Sequence, residues 1–252
     1  MKQCLAVALC VCLGAGSLLA AENGFWFGGS SSDNLWTTSS NWSKDEKSAV
    51  ASGYPGDGTW DAGLIQFREP GFAGGTVRVP DAGVTILRFV HGYSKSNTPP
   101  VTFAGGELSL ANTTEVLRND TVNPIVFECP VRFTSSSPMM YAGLVFKGVL
   151  RTDPNLASMA LTADFQTTYS RLHDIVFTGE SSVTAFTNVS TSATFLVKRG
   201  VQVRMLDGAT LDANGVTLQQ NGTALSVTGA TLRARNLYSR RQTTMRKTRP
   251  RS

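Results

Sequence analysis

A glycine followed three residues later by leucine or valine recurs in the C-terminal part of the sequence. The repeats begin at Gly200, Gly208, Gly215, Gly222 and Gly229, with spacings of 8, 7, 7 and 7 residues. Glycine adopts positive φ angles at little cost, so we expect each one at a sharp corner, with the aliphatic residue pointing inward. Three spacings, from 200 to 222, span 22 residues, the length of one three-strand coil. The pattern therefore predicts a β-helix.

Short apolar runs extend this pattern back to about residue 63. Examples are 64–67, 76–79 and 84–89, each four to six residues long and each followed by Gly, Pro, Asn or Asp within a few residues. No stretch of ten or more residues shows a convincing helical period of 3.6. We therefore predict an all-β chain in which residues 63–232 form a right-handed parallel β-helix of about eight coils.

The alternative architecture for such a strand-rich sequence is a β-sandwich. Sandwich strands usually recur every 8–12 residues, whereas the C-terminal glycines recur every 7 or 8. The shorter period favours the β-helix. Because each coil is buried only against its neighbours, the ends of the stack need caps.

All four tryptophans lie in the segment 22–62. We expect this segment to be an aromatic-rich N-terminal cap, since the first coil has no preceding neighbour. The alternative is a carbohydrate site, because sugar rings stack on exposed aromatic faces. Its candidate residues are Trp36, Asn41, Trp42 and Trp60. The clustering at one terminus favours the cap, and some rings could serve both roles.

The N-terminus has the pattern of a secretory signal peptide over residues 1–21. Lys2 precedes a short apolar run that ends in small residues, with cleavage expected after Ala20 or Ala21. The run is shorter than a membrane-spanning helix requires. No second long apolar segment follows, so we expect an exported protein with no membrane span after cleavage.

Cysteine usage limits the chemistry of the mature chain. Cys4, Cys10 and Cys12 belong to the predicted signal peptide, which leaves Cys129 alone. No internal disulfide and no cysteine zinc site can then form. Cys129 lies in an apolar strand-like run, so we expect a buried, unreactive thiol.

The net charge of +5 comes from the C-terminus. Residues 233–252 contain eight arginines and lysines and no acid, and without these and Lys2 the segment 3–232 has a net charge of −4. We expect residues 233–252 to be a disordered basic tail, since they show no apolar period. Nucleic-acid binding needs a basic face on a folded body, and we do not expect it here.

Candidate catalytic groups are scattered along the sequence. Most acids, such as Asp57 and Asp153, adjoin Gly, Asn or Pro, which is typical of turn residues that bond their own backbone. His91 and His173 have no second ligand at metal-binding spacing, and no nucleophile elbow or phosphate loop occurs. We therefore predict no catalytic residue, no metal and no cofactor.

Three short motifs near the N-terminus resemble the opening of a known family. They are Phe25-Trp26-Phe27-Gly28-Gly29, Asp33-Asn34-Leu35-Trp36 and Asn41-Trp42-Ser43. Together with the coil text that follows, they resemble bacterial surface proteins that contain autotransporter-associated β-strand repeats. The resemblance covers about residues 24–135 and, more loosely, 195–232. It implies an exported β-helical passenger that works outside a bacterial cell.

The sequence departs from that family at its C-terminus. An autotransporter ends in a translocating β-barrel, whereas here the repeat text stops at residue 233 and a basic tail follows. A fragment, a frameshifted product or a small soluble relative would each explain this departure. A last coil without a cap exposes strand edges, so we expect a tendency to end-to-end association.

These observations predict a non-enzymatic structural or adhesive module that is exported to the surface, the medium or the periplasm. Its expected partner is extracellular polysaccharide or cell-surface material. The alternative is a carbohydrate-binding or polysaccharide-degrading β-helix protein. Three or more carboxylates that converge in one groove would favour the enzyme. Aromatic faces exposed in a row would favour the glycan binder. Buried tryptophans together with scattered acids would favour the structural module.

Overall fold

The computed structural model describes residues 22–28, 33–60, 62–68, 72–92, 97–112, 114–165, 172–179, 182–183, 194–219 and 222–239. The predicted signal peptide, 1–21, and residues 240–252 of the predicted tail lie outside this part of the chain. Within it there is no α-helix, and Ser39–Asn41 form the only 3-10 turn. No helix in the described segments is long and apolar enough to cross a membrane.

The described strands, in chain order, are β1 (Glu22–Trp26), β2 (Trp42–Ser43), β3 (Ala62–Phe67), β4 (Gly75–Val79), β5 (Val84–Ile86), β6 (Phe89–His91), β7 (Val101–Gly105), β8 (Leu108–Leu110), β9 (Glu115–Asn119), β10 (Ile125–Phe127), β11 (Val131–Phe133), β12 (Met139–Tyr141), β13 (Leu144–Phe146), β14 (Leu150–Thr152), β15 (Ala160–Asp164), β16 (Asp174–Phe177), β17 (Ser182–Val183), β18 (Thr194–Val197), β19 (Gln202–Leu206), β20 (Thr210–Leu218), β21 (Ala224–Thr228) and β22 (Thr231–Ser239).

These strands form three sheets, which the chain visits in turn. Sheet 1 contains β3, β6, β9, β12, β15, β18 and β20, with β17 and β22 also paired to β20. Sheet 2 contains β4, β7, β10, β13, β16, β19 and β21, and sheet 3 contains β5, β8, β11 and β14. Each strand pairs in parallel with the strand one turn later, as Ile125 does with Leu144 and Val131 with Leu150. The cap adds β1 and β2 to the N-terminal edge of sheet 1.

The predicted parallel β-helix is confirmed, and the β-sandwich alternative is wrong. A sandwich is built from antiparallel strands, whereas β1 and β2 are the only described strands that pair antiparallel with each other. The right-handed sense of the coil stays a prediction.

The turns differ in length more than the predicted period of about 22 residues implies. Equivalent positions in sheet 2 are 19 residues apart from Ile125 to Leu144 but 31 apart from Leu144 to Ile175. Sheet 2 has seven strands among the described residues, so they contain fewer turns than the eight we predicted. One contribution comes from the connections between sheets 1 and 2: two residues separate Tyr141 of β12 from Leu144 of β13, whereas β15 ends at Asp164 and β16 begins at Asp174.

Side chains stack in columns inside the coil. Phe103, Phe127, Phe146 and Phe177 occupy the same position in successive turns. Their ring centroids are 5.5, 5.1 and 5.4 Å apart, and neighbouring rings are inclined by 17°, 14° and 16°. These separations are close to the ~4.8 Å between strands, because in-register parallel pairing places like side chains above one another. The stack joins four turns into one core.

Four of the five repeat glycines form the predicted corners. Gly200, Gly208, Gly222 and Gly229 have φ angles of 76°, 85°, 81° and 63°. Gly215 does not, and it lies within β20. The first part of β20 pairs with β17 and the second with β18. The strand thus passes from one face of the coil to the next without a left-handed residue.

The last coil extends further than the sequence indicated. We expected the coils to end at residue 232, but β22 runs to Ser239 and pairs with β20 along its length. In β22, Leu232 and Ala234 are partly buried, while Arg233 and Arg235 are exposed. Because small and aliphatic residues still alternate with the arginines, this segment satisfies the strand pattern despite its charge.

Candidate functional site

The four residues considered for a glycan site lie together inside the N-terminal cap. Trp36, Asn41 and Trp42 are 0% exposed, and Trp60 is 3% exposed. The ring centroids of Trp36 and Trp42 are 4.7 Å apart, and those of Trp42 and Trp60 are 6.4 Å apart. Trp42 also packs edge-on against Phe67 of the first turn at 5.9 Å. The tryptophans cover the core of the first turn, as a cap must.

Hydrogen bonds hold this cap in its buried arrangement. Trp36 Nε1 donates to Pro55 O at 2.8 Å, and Trp42 Nε1 donates to Trp36 O at 2.6 Å. Asn41 Nδ2 donates to Asp33 Oδ1 at 3.2 Å. Stacking on a sugar requires exposed ring faces, so we assign the tryptophans and Asn41 to the cap and not to a glycan platform.

Two arginine–aspartate pairs involve sheet 1: Arg118 lies in β9 and Asp164 in β15, while Asp120 follows β9 and Arg199 follows β18. Arg118 donates from Nε to Asp120 Oδ1 and from Nη2 to Oδ2, both at 2.7 Å, and both side chains are almost fully buried. Arg199 binds Asp164 in the same manner, with both distances 2.6 Å. Two-bond pairs of this kind are among the stronger hydrogen-bonded contacts in proteins.

Tyr141 lies on β12, between β9, which contains Arg118, and β15, which contains Asp164. Burial raises the pKa of the Tyr141 hydroxyl, and the negative charges of Glu115 and Asp164 raise it further. Arg199 and Arg118 act in the opposite direction. Each of these four charged side chains is therefore close enough to act on the Tyr141 hydroxyl. We name the following residues the Tyr141 cluster: Glu115, Arg118, Asp120, Tyr141, Asp164 and Arg199.

The Tyr141 cluster contains three carboxylates, but two of them already accept hydrogen bonds from an arginine on both oxygens. A glycoside hydrolase needs one carboxyl group that gives a proton and another that acts as base or nucleophile. Both oxygens of Asp120 and both oxygens of Asp164 accept hydrogen bonds from a guanidinium. Neither aspartate is positioned to exchange a proton with a substrate.

Glu115 is the third carboxylate of the Tyr141 cluster and differs from the other two. Its Oε1 atom is buried and has no hydrogen-bond partner within the described residues. The nearest cationic atoms are Arg118 Nη1 at 3.6 Å and Arg88 Nη1 at 4.0 Å. A buried acceptor without a partner is unusual, so Glu115 is the member of the cluster with capacity for a further contact.

A second buried polar group occupies the corner that follows β6 and β9. His91 Nε2 donates to Pro99 O at 2.7 Å, and His91 Nδ1 lies 3.4 Å from Thr121 Oγ1. Asn119 Nδ2 donates to Gly143 O one turn away at 2.9 Å. Burial lowers the pKa of His91 to about 4. This histidine is neutral, enclosed and bonded at both nitrogens, which suits packing of the corner rather than catalysis.

Cys129 is buried, as the sequence predicted. Burial raises the pKa of its thiol to about 12, so the nucleophilic thiolate is scarce at neutral pH. Two of the predicted turn acids, Asp57 and Asp153, bond nearby backbone as expected, whereas Asp120 and Asp164 form buried pairs with arginine instead. Asp57 Oδ1 accepts from Thr59 N at 2.8 Å, and Asp153 Oδ1 accepts from Asn155 N at 2.9 Å.

No three histidine, cysteine, aspartate or glutamate side chains in the described part of the chain are grouped so that they could hold a metal ion. The arginine–aspartate pairs would themselves compete with a cation for the carboxylates, because each oxygen already faces a guanidinium.

The Tyr141 cluster was missed in the sequence for a clear reason. Asp164 and Arg199 are 35 residues apart, and no local pattern links them. A partial indication was present in the segment 115–120, where three charged residues, Glu115, Arg118 and Asp120, lie in and around a short apolar run. Charged side chains in such strands are rarely buried without partners, so the segment indicated an ion pair without identifying its extent.

No family model, no curated protein and no solved structure matches the chain. The resemblance to autotransporter-associated β-strand repeats stays a prediction.

Proposed function

We propose that this protein is a non-enzymatic structural module that is exported and presents a rigid β-helical surface for adhesion outside the cell. The observation that supports this most directly is the closed pairing of Asp120 with Arg118 and of Asp164 with Arg199. Such pairs stabilise the coil and leave neither aspartate available for proton transfer.

Rigidity without disulfides is the physical basis of the proposed role. Among the described residues, Cys129 is the only cysteine, and it is free. The stacked phenylalanines and the in-register ladders bury a continuous core instead. An adhesive or spacing element has to keep its shape, and a continuous core serves that purpose.

Export is supported by the sequence pattern of residues 1–21. The test is to produce the full chain with its own N-terminus in a bacterium and to determine the N-terminal residue by mass spectrometry. We expect a mature chain in the periplasm or medium that begins at Ala21 or Glu22. An uncleaved chain in the cytoplasm would contradict export.

The non-enzymatic part of the proposal is tested with a panel of neutral and acidic polysaccharides. Reducing ends and unsaturated sugar products are measured after long incubation across acidic to alkaline pH. We expect no product above a heat-denatured control. Product formation that is lost in both Asp120→Asn and Asp164→Asn would overturn the proposal, because these residues would then act in the reaction.

The carbohydrate-directed alternative is supported by one observation, the buried and unbonded Oε1 of Glu115 beside Tyr141. Because this atom is buried, a sugar hydroxyl can donate to it only after the side chains around it move apart. Titration calorimetry with the same polysaccharides, comparing wild type with Glu115→Gln, tests this alternative. Glu128→Gln is the matched control, because Glu128 is an exposed strand-end acid in a surface ion pair. Binding that Glu115→Gln alone weakens would favour the glycan binder.

A further inference from the structure

The inner columns of the coil end abruptly at the last turn. Met205 is followed one turn later by Val227, and Val216 by Leu237. Met205 and Val216 are fully buried, whereas Val227 is 42% and Leu237 is 61% exposed. Leu225, Leu232 and Ala234 complete the same layer and are partly buried. We name Leu225, Val227, Leu232, Ala234 and Leu237, together with the outer edges of β21 and β22, the open coil end.

Unpaired backbone surrounds these apolar side chains. Among the described strands, β21 pairs only with β19, and β22 pairs only with β20. The outer edge of each strand therefore presents N–H and C=O groups that another strand can satisfy. A partner must offer both an apolar layer and strands at matching positions.

The two ends of the molecule are not complementary to each other. Trp26, Trp36, Trp42 and Trp60 cover the first turn, so its core is closed to a second molecule. The open coil end of a second copy has the required strands and apolar layer. A twofold axis brings the same surface of both copies together, and it pairs each edge strand antiparallel with its own copy.

We infer that the open coil end is a dimer interface at which two copies of this chain associate tail to tail. The strands β21 and β22 contain 5 and 9 residues, against roughly 20–30 residues per partner in a standard interface. The interface is therefore small, and we expect a weak dimer that dissociates on dilution. This inference is independent of the proposed adhesive role.

Charge at the open coil end gives the dimer a characteristic salt dependence. Arg233 pairs with Asp212 at 3.6 Å, while Arg235 lies exposed on the same strand. A twofold axis brings like charges of the two copies closer, and salt screens their repulsion. Dimerisation should strengthen as salt increases. An acidic protein partner would show the opposite dependence, and capture of such a partner in place of dimerisation would overturn the inference.

The test is sedimentation velocity of the full chain across a wide concentration range, for wild type, Leu237→Asp and Val122→Asp. Val122 is the matched control, since it is similarly exposed and lies at a corner far from the last turn. We expect a concentration-dependent dimer whose Kd rises about tenfold or more in Leu237→Asp, as loss of ~1.4 kcal/mol would produce. A monomer at every concentration, or equal weakening by Val122→Asp, would overturn the inference.

Disulfide trapping tests the orientation. In a parent in which Cys4, Cys10 and Cys12 are serine, Tyr238→Cys copies should crosslink with one another under mild oxidation. They should not crosslink with copies that contain Lys44→Cys in the cap. A 238–44 crosslink would indicate head-to-tail stacking and contradict the tail-to-tail arrangement. Protection of residue 238 from thiol reagents in a monomer would instead indicate that residues 240–252 cover the end, which also contradicts it.

Discussion

Arg199 holds Asp164 through two hydrogen bonds of 2.6 Å across 35 residues of chain. The Asp164 side chain is 5% exposed, whereas that of Arg199 is 45% exposed. The pair is therefore asymmetric. Removal of the arginine leaves a buried carboxylate without its partner, while removal of the carboxylate leaves a guanidinium that water can solvate.

We expect Arg199→Met to lower the free energy of unfolding at neutral pH by about 2 kcal/mol and Asp164→Asn by about 1 kcal/mol. Urea denaturation followed by circular dichroism measures both changes. Arg204→Met is the control, because Arg204 and its partner Asp174 are both exposed, and such pairs contribute about 0.5 kcal/mol or less. Equal losses in all three variants would show that burial of Asp164 does not matter.

Phe127 lies in the middle of the phenylalanine stack, with Phe103 on one side and Phe146 on the other. Phe133 is equally buried, but no aromatic ring contacts it among the described residues. Phe127→Leu should therefore destabilise the protein by about 1 kcal/mol more than Phe133→Leu, since it also loses two ring contacts. Thermal and urea unfolding of the two variants measure the difference, and equal losses would contradict a specific role for stacking.

Gly106 lies close to the backbone of the preceding turn. A Cβ atom at this position would be 1.9 Å from Pro80 O, which is backbone and cannot swing away. Gly58 has a φ of +87° with no atom within 4 Å of an added Cβ. We expect Gly106→Ala to lower the free energy of unfolding by about 3 kcal/mol or more, and Gly58→Ala by about 1 kcal/mol. A smaller loss for Gly106→Ala, measured in urea, would mean that the turns can separate without penalty.

His91 links stability to pH. Its pKa is about 4 in the folded chain because of burial, against 6.5 when exposed. Between these values the unfolded chain binds more protons, so the stabilising contribution is complete above pH 6.5 and declines as pH falls toward 4. The total loss from this group is about 3 kcal/mol.

The measurement for His91 is the free energy of unfolding in urea at several pH values from 7.5 to 4, for wild type and His91→Gln. The variant should be less stable at neutral pH but should lose less stability on acidification. An unchanged slope in the variant would contradict the assignment, because the acid sensitivity would then come from other groups.

The parallel β-helix could be predicted because its evidence is local and repeated. Glycines at 200, 208, 222 and 229 mark corners, and the runs between them alternate inward and outward residues. Such a pattern specifies strand length and corner position, and stacking follows because each turn exposes apolar columns. The varying length of the turns could not be predicted, since no local pattern distinguishes the short connection between Tyr141 and Leu144 from the longer one between Asp164 and Asp174.

From the sequence alone, two roles remained open for the tryptophans, a cap and a sugar-binding platform. A Trp beside an Asn suits both a cap and a sugar platform, because the chemistry of the residues is the same in each. Burial of Trp36 and Trp42 against Phe67 favours the cap. The extent of β22 was also ambiguous from the sequence. The charge of this segment predicted a disordered tail, whereas the alternation of Leu232 and Ala234 with arginines forms a strand.

The sequence by itself determined the class of fold, the burial and low reactivity of the Cys129 thiol and the position of the aromatic cap. Each of these depends on local period or on composition. Only the tertiary structure decided which side chains meet. It pairs Arg199 with Asp164, places Tyr141 of β12 between β9 and β15 and leaves Leu237 exposed at the open coil end. The physical reason is that stacking brings together residues one turn apart, and the length of that turn depends on corners whose conformation no local pattern specifies.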